Sequence, residues 1–521
     1  MTVIIFSCAQ IVPLTGGEKD VLAPKDTESF PKNGSVNFIS KSITVKFDEY
    51  IKLTNATSQL IVSPLMETPP EISIKGKKLI IKLQSELNAN TTYSLNFGNA
   101  ISDITENNIL PNYKYVFSTG NYIDSLSYTG TVVDAFDQSA KESIYVLLYD
   151  QFEDSVPLKE LPRYVALTNK KGQYSMTNIA QGKYKLFAIN DVNSNYLFDL
   201  PNEEVGFEDK IISIDSSITK RVIYLFEETS DLQFLVKSEH KSYGEINLIF
   251  NNPTEELTIT PVNKIFNKEE WSLIEKNNTG DSVTLWLYPD AFDKDIELEI
   301  RDNNEIIDTI NFQVIPLSEF KDSTLKVSSN ITSSFDLNKS LSIEINRPSI
   351  NFKPFNTMLY EDSSLITTEL LRELGSRRFI FPYDFKEDTE YNLLIPPNSF
   401  EDIYGLKNDT LKLDFKTKKE SDYGIINLNI IPNFSGNYIV QLSKNKKIVT
   451  ESYFIGEQTK QYKYLSAGVY SLKLIIDTNA DKKWTTGNYI KGIQPEKVII
   501  YNKEIKIRAN WDNDIKWTIK E

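Results

Sequence analysis

Asp191, Asn193, Asn195 and Asp199 place oxygen-bearing side chains at relative positions 1, 3, 5 and 9 of one short stretch. Asp477, Asn479 and Asp481, with Thr485 after them, repeat that spacing near the end of the chain. Calcium takes about six to eight oxygen ligands, and alternate side chains of a tight loop can wrap them round one ion, so calcium is the cofactor this pattern would serve. The same residue types also form Asx-turns, in which a side-chain oxygen accepts a backbone N–H two residues on and ends a strand. Glu203 and Glu204 follow the first loop, whereas Lys482 and Lys483 lie beside Asp477 and Asp481, so charge ranks the first loop above the second as a metal site.

Compared with an EF-hand loop the match is partial. Tyr196 and Lys482 stand where that loop requires Gly, and Asn202 and Asn488 where it requires a bidentate Glu. Glu203 or Glu204 would have to substitute in the first loop. Tyr196, Trp484 and Tyr489 flank the loops and suit either a sugar-stacking surface or packing, the commoner fate of aromatics. The chain has a single His, His240, and a single Cys, Cys8, which excludes a multi-histidine zinc site, a thiolate cluster and a disulfide framework. His240 lies between Glu239 and Lys241 in what reads as a polar connection, and a solvated role is expected for it. No catalytic residue is assigned: 72 acids guarantee that some lie close together, and counting cannot single out an acid–base pair.

Cys8 has no partner, and it follows the apolar run Thr2 to Phe6. The string Ile5-Phe6-Ser7-Cys8 resembles a bacterial lipobox, which implies cleavage before Cys8 and a diacylglycerol on its thiol. The run lacks the charged n-region of a signal peptide, so the true start codon is expected upstream. The alternative is a buried Cys at the start of an intracellular domain. Ala9 to Pro24, rich in Gly, Pro and charge, reads as a tether.

These features need a scaffold, and composition points to its class. With 57 basic and 72 acidic residues the 521-residue chain carries a formal charge of −15, which argues against a nucleic-acid partner. An aromatic content of 12% with four Met and one Cys suits half-buried sheets. Ile43 to Phe47, Tyr93 to Phe97 and Leu341 to Ile345 alternate with period two. The fold class is therefore all-β, with short helices expected only at Thr367 to Leu374 and Asn267 to Ile274.

Internal repeats divide the chain. Thr91-Thr92-Tyr93, Asp103 and Phe117-Ser118-Thr119 return as Thr389-Glu390-Tyr391, Asp402 and Phe415-Lys416-Thr417, with 24 positions from Tyr to Phe in both. Gly182-Lys183-Tyr184 precedes Asp191 as Gly468-Val469-Tyr470 precedes Asp477, seven positions from Tyr to Asp. Tyr243-Gly244 and Tyr423-Gly424 open a further echo. The resulting map is a tether at 1–23 and five β modules at 24–120, 124–225, 226–320, 321–420 and 421–521.

Residues 24–120 resemble the bacterial Ig-like domain of S-layer (SbsA) type, through Pro31-Lys32-Asn33-Gly34, Phe47, Thr91-Thr92-Tyr93 and Phe117-Ser118-Thr119-Gly120. Residues 321–420 are a divergent second copy. Residues 124–225 resemble a prealbumin-like, or carboxypeptidase-regulatory-like, sandwich through Gly130-Thr131-Val132, Lys171-Gly172-Gln173-Tyr174 and Gly182-x-Tyr184, and 421–521 repeat it. The order of parts is similar to a group of uncharacterised bacterial outer-membrane lipoproteins. That resemblance implies tandem Ig-like and prealbumin-like β-sandwiches on a lipid anchor in the outer membrane, at the cell surface or on the periplasmic face. It implies a non-catalytic scaffold or interaction protein with an outer-membrane protein as partner, an accessory subunit of an assembly, secretion or uptake complex. A surface adhesin or glycan-binding protein, and a carboxylate-pair hydrolase, are the alternatives.

Overall fold

Alternating apolar residues become strands with one buried face. In Ser42–Phe47 the side chains of Ile43, Val45 and Phe47 are buried and Ser42 and Lys46 are exposed. Leu341–Ile345 buries all but Glu344, and the strand Thr92–Asn96 places Tyr93 and Leu95 in a core. Burying one such side chain stabilises by roughly 1.5–3 kcal/mol, enough for a short strand to form only in company. The computed structural model describes residues 19–262, 271–289, 295–313, 315, 324–353, 357–367, 369–373 and 377–520. Cys8 and the tether up to residue 18 lie outside the described residues.

The chain is all-β. Among the described residues the α-helices are two single turns, Ala56–Gln59 and Val156–Lys159. Neither expected helix is present among the described residues: Leu371–Arg372 is a strand paired with Arg378–Phe381, and Ser272 to Ile274 belong to the strand Ser272–Lys276. The remainder of those two segments is only partly described. Leu370 enters a core while Leu371 and Arg372 are exposed and paired in the ladder, so strand pairing overrides their good helix propensity.

Among the described residues, hydrophobic clusters run from Phe38 to Phe117, Tyr128 to Leu225, Ile246 to Phe312, Leu325 to Phe415 and Ile426 to Ile519. The second and fifth share a strand plan. Leu126–Asp134 pairs antiparallel with Gln173–Ile179 and parallel with Ile218–Glu227. Tyr423–Pro432 likewise pairs antiparallel with Gln458–Ser466 and parallel with Asp512–Ile519. The echo between Tyr243-Gly244 and Tyr423-Gly424 is not structural, because Gly244 turns a hairpin at φ 74° whereas Gly424 sits inside a strand.

The first and fourth clusters explain the other repeat. Tyr93 lies opposite Phe117 and Tyr391 opposite Phe415, each pair stacked at 5.4 Å. The Tyr93 hydroxyl accepts the Asn88 N–H at 2.8 Å, and the Tyr391 hydroxyl accepts that of Lys386 at 3.0 Å. Thr119 Oγ1 accepts the Thr91 N–H at 3.0 Å and donates to the Asn88 carbonyl at 2.7 Å. Thr417 Oγ1 does the same for Thr389 and Lys386, at 3.0 and 2.6 Å. The Thr, Tyr, Phe and Thr of each copy thus close one corner.

The chain divides into two compact units, one of Met1–Glu228 with Gly487–Pro495 and one of Thr229–Thr486 with Glu496–Glu521. Inside the first, Ser63 Oγ donates to the Val165 carbonyl at 3.2 Å and accepts the Val165 N–H at 3.1 Å. Tyr489, brought in by the late segment, stands edge-on to Phe187 and Phe207, each at 5.1 Å, and its hydroxyl donates to the Asp154 carbonyl at 2.7 Å. Inside the second unit, Glu275 accepts from Trp286 at 2.8 Å and from Arg377 at 3.0 Å, with the guanidinium over the indole. Tyr404 donates to the Leu287 carbonyl at 3.0 Å, and Tyr423 accepts the Leu337 N–H at 3.0 Å.

Thr119→Val keeps the shape of the corner and removes the hydroxyl's bonds to the Thr91 N–H and to the Asn88 and Thr91 carbonyls. The expected result is faster hydrogen exchange at the Thr91 amide and a loss of about 1–3 kcal/mol in its opening free energy, with Thr417→Val doing the same at Thr389.

Candidate functional site

The strand Gly182–Ile189 ends just before Asp191, and Gly468–Asp477 ends at Asp477, so both loops leave the same position of their sheets. In each strand a Tyr hydroxyl donates to the carbonyl four residues back, Tyr184 to Ala180 and Tyr470 to Ser466, both at 2.8 Å. These bonds fix the turn that feeds the strand.

The structure brings the predicted residues together. Asp191 Oδ1 accepts the N–H groups of Ser194 at 2.6 Å and Asn195 at 3.2 Å, and Oδ2 accepts that of Tyr196 at 2.7 Å. Asn193 and Asn195 donate their side-chain amides to Asp199, at 3.1 and 2.8 Å. In the second loop Asp477 accepts the N–H groups of Asp481 at 3.2 Å and Lys482 at 3.1 Å. Asn479 donates to Thr485 at 2.8 Å, and Thr485 donates to Asp481 at 3.1 Å. Ser194 and Tyr196 in one loop, and Ala480 and Lys482 in the other, take φ between 60° and 64°, so the two backbones follow one path. The Gly expected at the sixth position is replaced by residues held in the left-handed region by the Asp above them.

Each loop is also tied across its base by a buried glutamate. Glu203 accepts the N–H groups of Val192 at 3.1 Å, Asp199 at 3.0 Å and Leu200 at 3.1 Å. Glu496 accepts those of Thr478 at 2.7 Å and Thr485 at 3.0 Å. Glu204 is engaged elsewhere, in an ion pair with Lys141 at 2.7 Å and a bond from Asn190 at 3.0 Å. Both candidate extra ligands of the first loop therefore have partners. Among the described residues no three His, Cys, Asp or Glu side chains are grouped to hold a metal ion.

The flanking aromatics are packed. Tyr196 meets Tyr145 edge-on at 4.9 Å, and burial pushes its hydroxyl up to about 12. Trp484 Nε1 donates to the Glu496 carbonyl at 2.9 Å, and Tyr489 is buried. His240 differs from expectation: it sits within the strand Leu235–Ser242, half-buried, with Nδ1 3.1 Å from the Gln313 carbonyl and its ring edge-on to Phe312 at 6.1 Å.

The turns after the first repeat carry a second set of buried acids. Asp103 accepts the N–H groups of Glu106, Asn107 and Asn108, at 2.6 to 2.9 Å. Asp402 accepts those of Tyr404 and Leu406, at 2.9 and 2.8 Å, with Arg347 4.0 Å away. Burial pushes both carboxyls up, but at Asp103 the backbone donors win and the pKa ends below the usual aspartate range. At Asp402 burial wins and the pKa ends above it.

Comparison with known proteins bears on the first module. Residues 20–119 match the family model of a bacterial Ig-like domain. No curated protein matches the chain. Among solved structures, the chain is similar to the Bacillus anthracis TIE protein, at 10% identity over 97% of this chain and 76% of that one, TM-score 0.15. It is also similar to BcpA, the major pilin subunit of Bacillus cereus, at 13% identity over 76% of this chain and 98% of that one, TM-score 0.14. A third is surface layer protein SbsC, domains 1–6, at 11% identity over 92% and 67%, TM-score 0.15. The bacterial Ig-like assignment agrees with the resemblance stated from Thr91-Thr92-Tyr93 and Phe117.

Two measurements check the site. Glu203→Ala leaves three N–H groups without their acceptor, and a loss of about 1–3 kcal/mol or more is expected in thermal unfolding, equal in calcium chloride and in EDTA. A loss confined to calcium would assign the loop to the ion. Carboxyl carbon NMR should show Asp103 titrating below the ordinary aspartate value and Asp402 above it. Asp103 then contributes stability at neutral pH that is lost as pH falls through its depressed pKa. Asp402 contributes stability that is full at low pH and lost as pH rises through its elevated one.

Proposed function

We propose that the chain is a non-catalytic, lipid-anchored scaffold of the bacterial cell envelope, tethered to the outer membrane through Cys8 and serving as an interaction subunit of a membrane complex. The observation that carries this reading is the use of the acids in both repeated loops and both repeated turns. Asp103, Asp191, Asp402, Asp477 and Glu203, which the sequence draws attention to, and Glu496, which it does not, all accept backbone N–H groups, so these carboxylates hold architecture. A chain of β modules, the first of them a bacterial Ig-like domain, supplies outer faces for partners while each core supports itself. The lipobox-like string at Cys8 and the tether after it favour attachment by two acyl chains, which hold durably because each buried methylene adds about 0.8 kcal/mol.

The test is affinity purification of the full-length protein from membranes in mild detergent, followed by mass spectrometry, alongside Cys8→Ser. Stoichiometric recovery of an outer-membrane protein, and release of the Cys8→Ser variant into the soluble fraction, are the expected outcomes. Membrane retention of that variant would remove the anchor from the reading. A hydrolytic activity abolished by neutralising one carboxylate would overturn the non-catalytic part.

A further inference from the structure

Lys114 sits in a polar cleft of the first unit whose one acidic lining residue, Glu142, makes no ion pair with it. Its Nζ donates to Thr177 Oγ1 at 3.0 Å, and among the described residues no carboxylate lies within ion-pair distance of it. Burial alone pushes its pKa below the usual lysine value. A partly desolvated cation without an anion is costly, and it is a place where a bound anion recovers free energy.

The cleft round it is made by two sheet faces. Thr92–Asn96 sends Tyr93 and Leu95 into one core and turns Ser94 and Asn96 to the cleft. Gln173–Ile179 sends Tyr174 and Met176 into the next core and turns Gln173, Ser175 and Thr177 to the same space. The space between them is about 820 Å³, within the range of about 300–1,000 Å³ typical of small-ligand sites. Its charged lining residues are Lys114, Lys170, Lys171 and Glu142, so a cationic cleft stands in a chain of net charge −15.

The walls decide what kind of anion fits. Hydroxyls and primary amides both donate and accept, as sugar hydroxyls do, and two facing rows of them match a ring edged with hydroxyls. An extended peptide would add to an open sheet edge. Of the terminal strands beside the cleft, Tyr164–Leu167 has the Val165 N–H and carbonyl bonded to Ser63, whereas Gln173–Ile179 pairs on one side only, so an acidic peptide is the competing occupant that tetraglutamate tests. From the facing hydroxyl and amide rows we infer that the cleft binds an acidic oligosaccharide, a uronate carboxylate pairing with Lys114 while Ser94, Asn96, Gln173 and Ser175 take the ring hydroxyls. The site needs no stacking aromatic and does not involve the two Asp/Asn loops.

Isothermal titration of the full chain with an oligogalacturonate tetrasaccharide tests this, with neutral cellotetraose and tetraglutamate as controls. Binding of the uronate alone, weakened by salt, is expected. Lys114→Met keeps the aliphatic stem, and at an unchanged melting temperature it should weaken binding at least about tenfold. Gln173→Ala, at the exposed start of its strand, is the second variant and should weaken binding without unfolding the chain. Wild-type affinity should also fall as pH rises into the lowered range of Lys114. Absence of uronate binding, tighter binding of tetraglutamate, or uronate affinity unchanged in both variants would each overturn the assignment.

Discussion

Backbone N–H groups left over where strands end must find acceptors, and in this protein buried carboxylates supply them. Asp103, Asp302, Asp402, Asp477, Glu203 and Glu496 are each at most 6% exposed. The loops they close are those where the sheet ladders stop, and Asp302 does the same service for the Glu255 N–H. A hydrogen bond to an ionised acceptor is worth more than a neutral one, and a buried N–H without a partner is expensive. At Asp103, whose pKa is held below the usual value, the acid therefore fixes its loop more firmly than an amide would, whereas at Asp402 burial offsets that gain. Part of the acidic composition is thus internal, and its negative charge is offset by backbone dipoles.

The same constraint explains what could be read in advance. Tyr93 to Phe117 and Tyr391 to Phe415 have equal spacing because each pair sits opposite across one strand pair and shares a Thr-closed corner. That geometry leaves little freedom for insertions, so it survives as a pattern. Asp191 and Asp477 were visible for the same reason, since positions 1 to 9 of each loop are bonded to one another. Glu496 was not. Its counterpart Glu203 follows Asp191 by twelve positions, whereas Glu496 follows Asp477 by nineteen, because the Gly487–Pro495 segment intervenes. Lys114 was equally silent: its meaning comes from Thr177 and the facing sheet, 63 positions away. Leu371–Arg372 shows the limit of propensity, since TTELLREL satisfies helical spacing and yet these two residues pair with a neighbouring strand.

Within each unit, polar contacts join neighbouring cores. Ser63 with Val165 is one, and Glu275 with Arg377 and Trp286 is another. Both join groups that would otherwise be unsatisfied at partly buried positions, which favours a defined angle over apolar contact alone. A cleft with fixed walls needs such a joint beside it, and Ser63 and Val165 are themselves part of the lining.

Tyr489 gives the first unit a dependence on time as well as space. Its ring and hydroxyl complete packing around Phe187, Phe207 and Asp154, yet it follows Phe207 by 282 positions (489 − 207) in the chain. During synthesis the earlier part of the first unit therefore waits, with Phe187 and Phe207 uncovered by that ring, until residue 489 arrives. Contacts of such long separation form late and slowly. A nascent chain stalled before residue 487 would present an unfinished apolar surface, the kind that holding chaperones recognise.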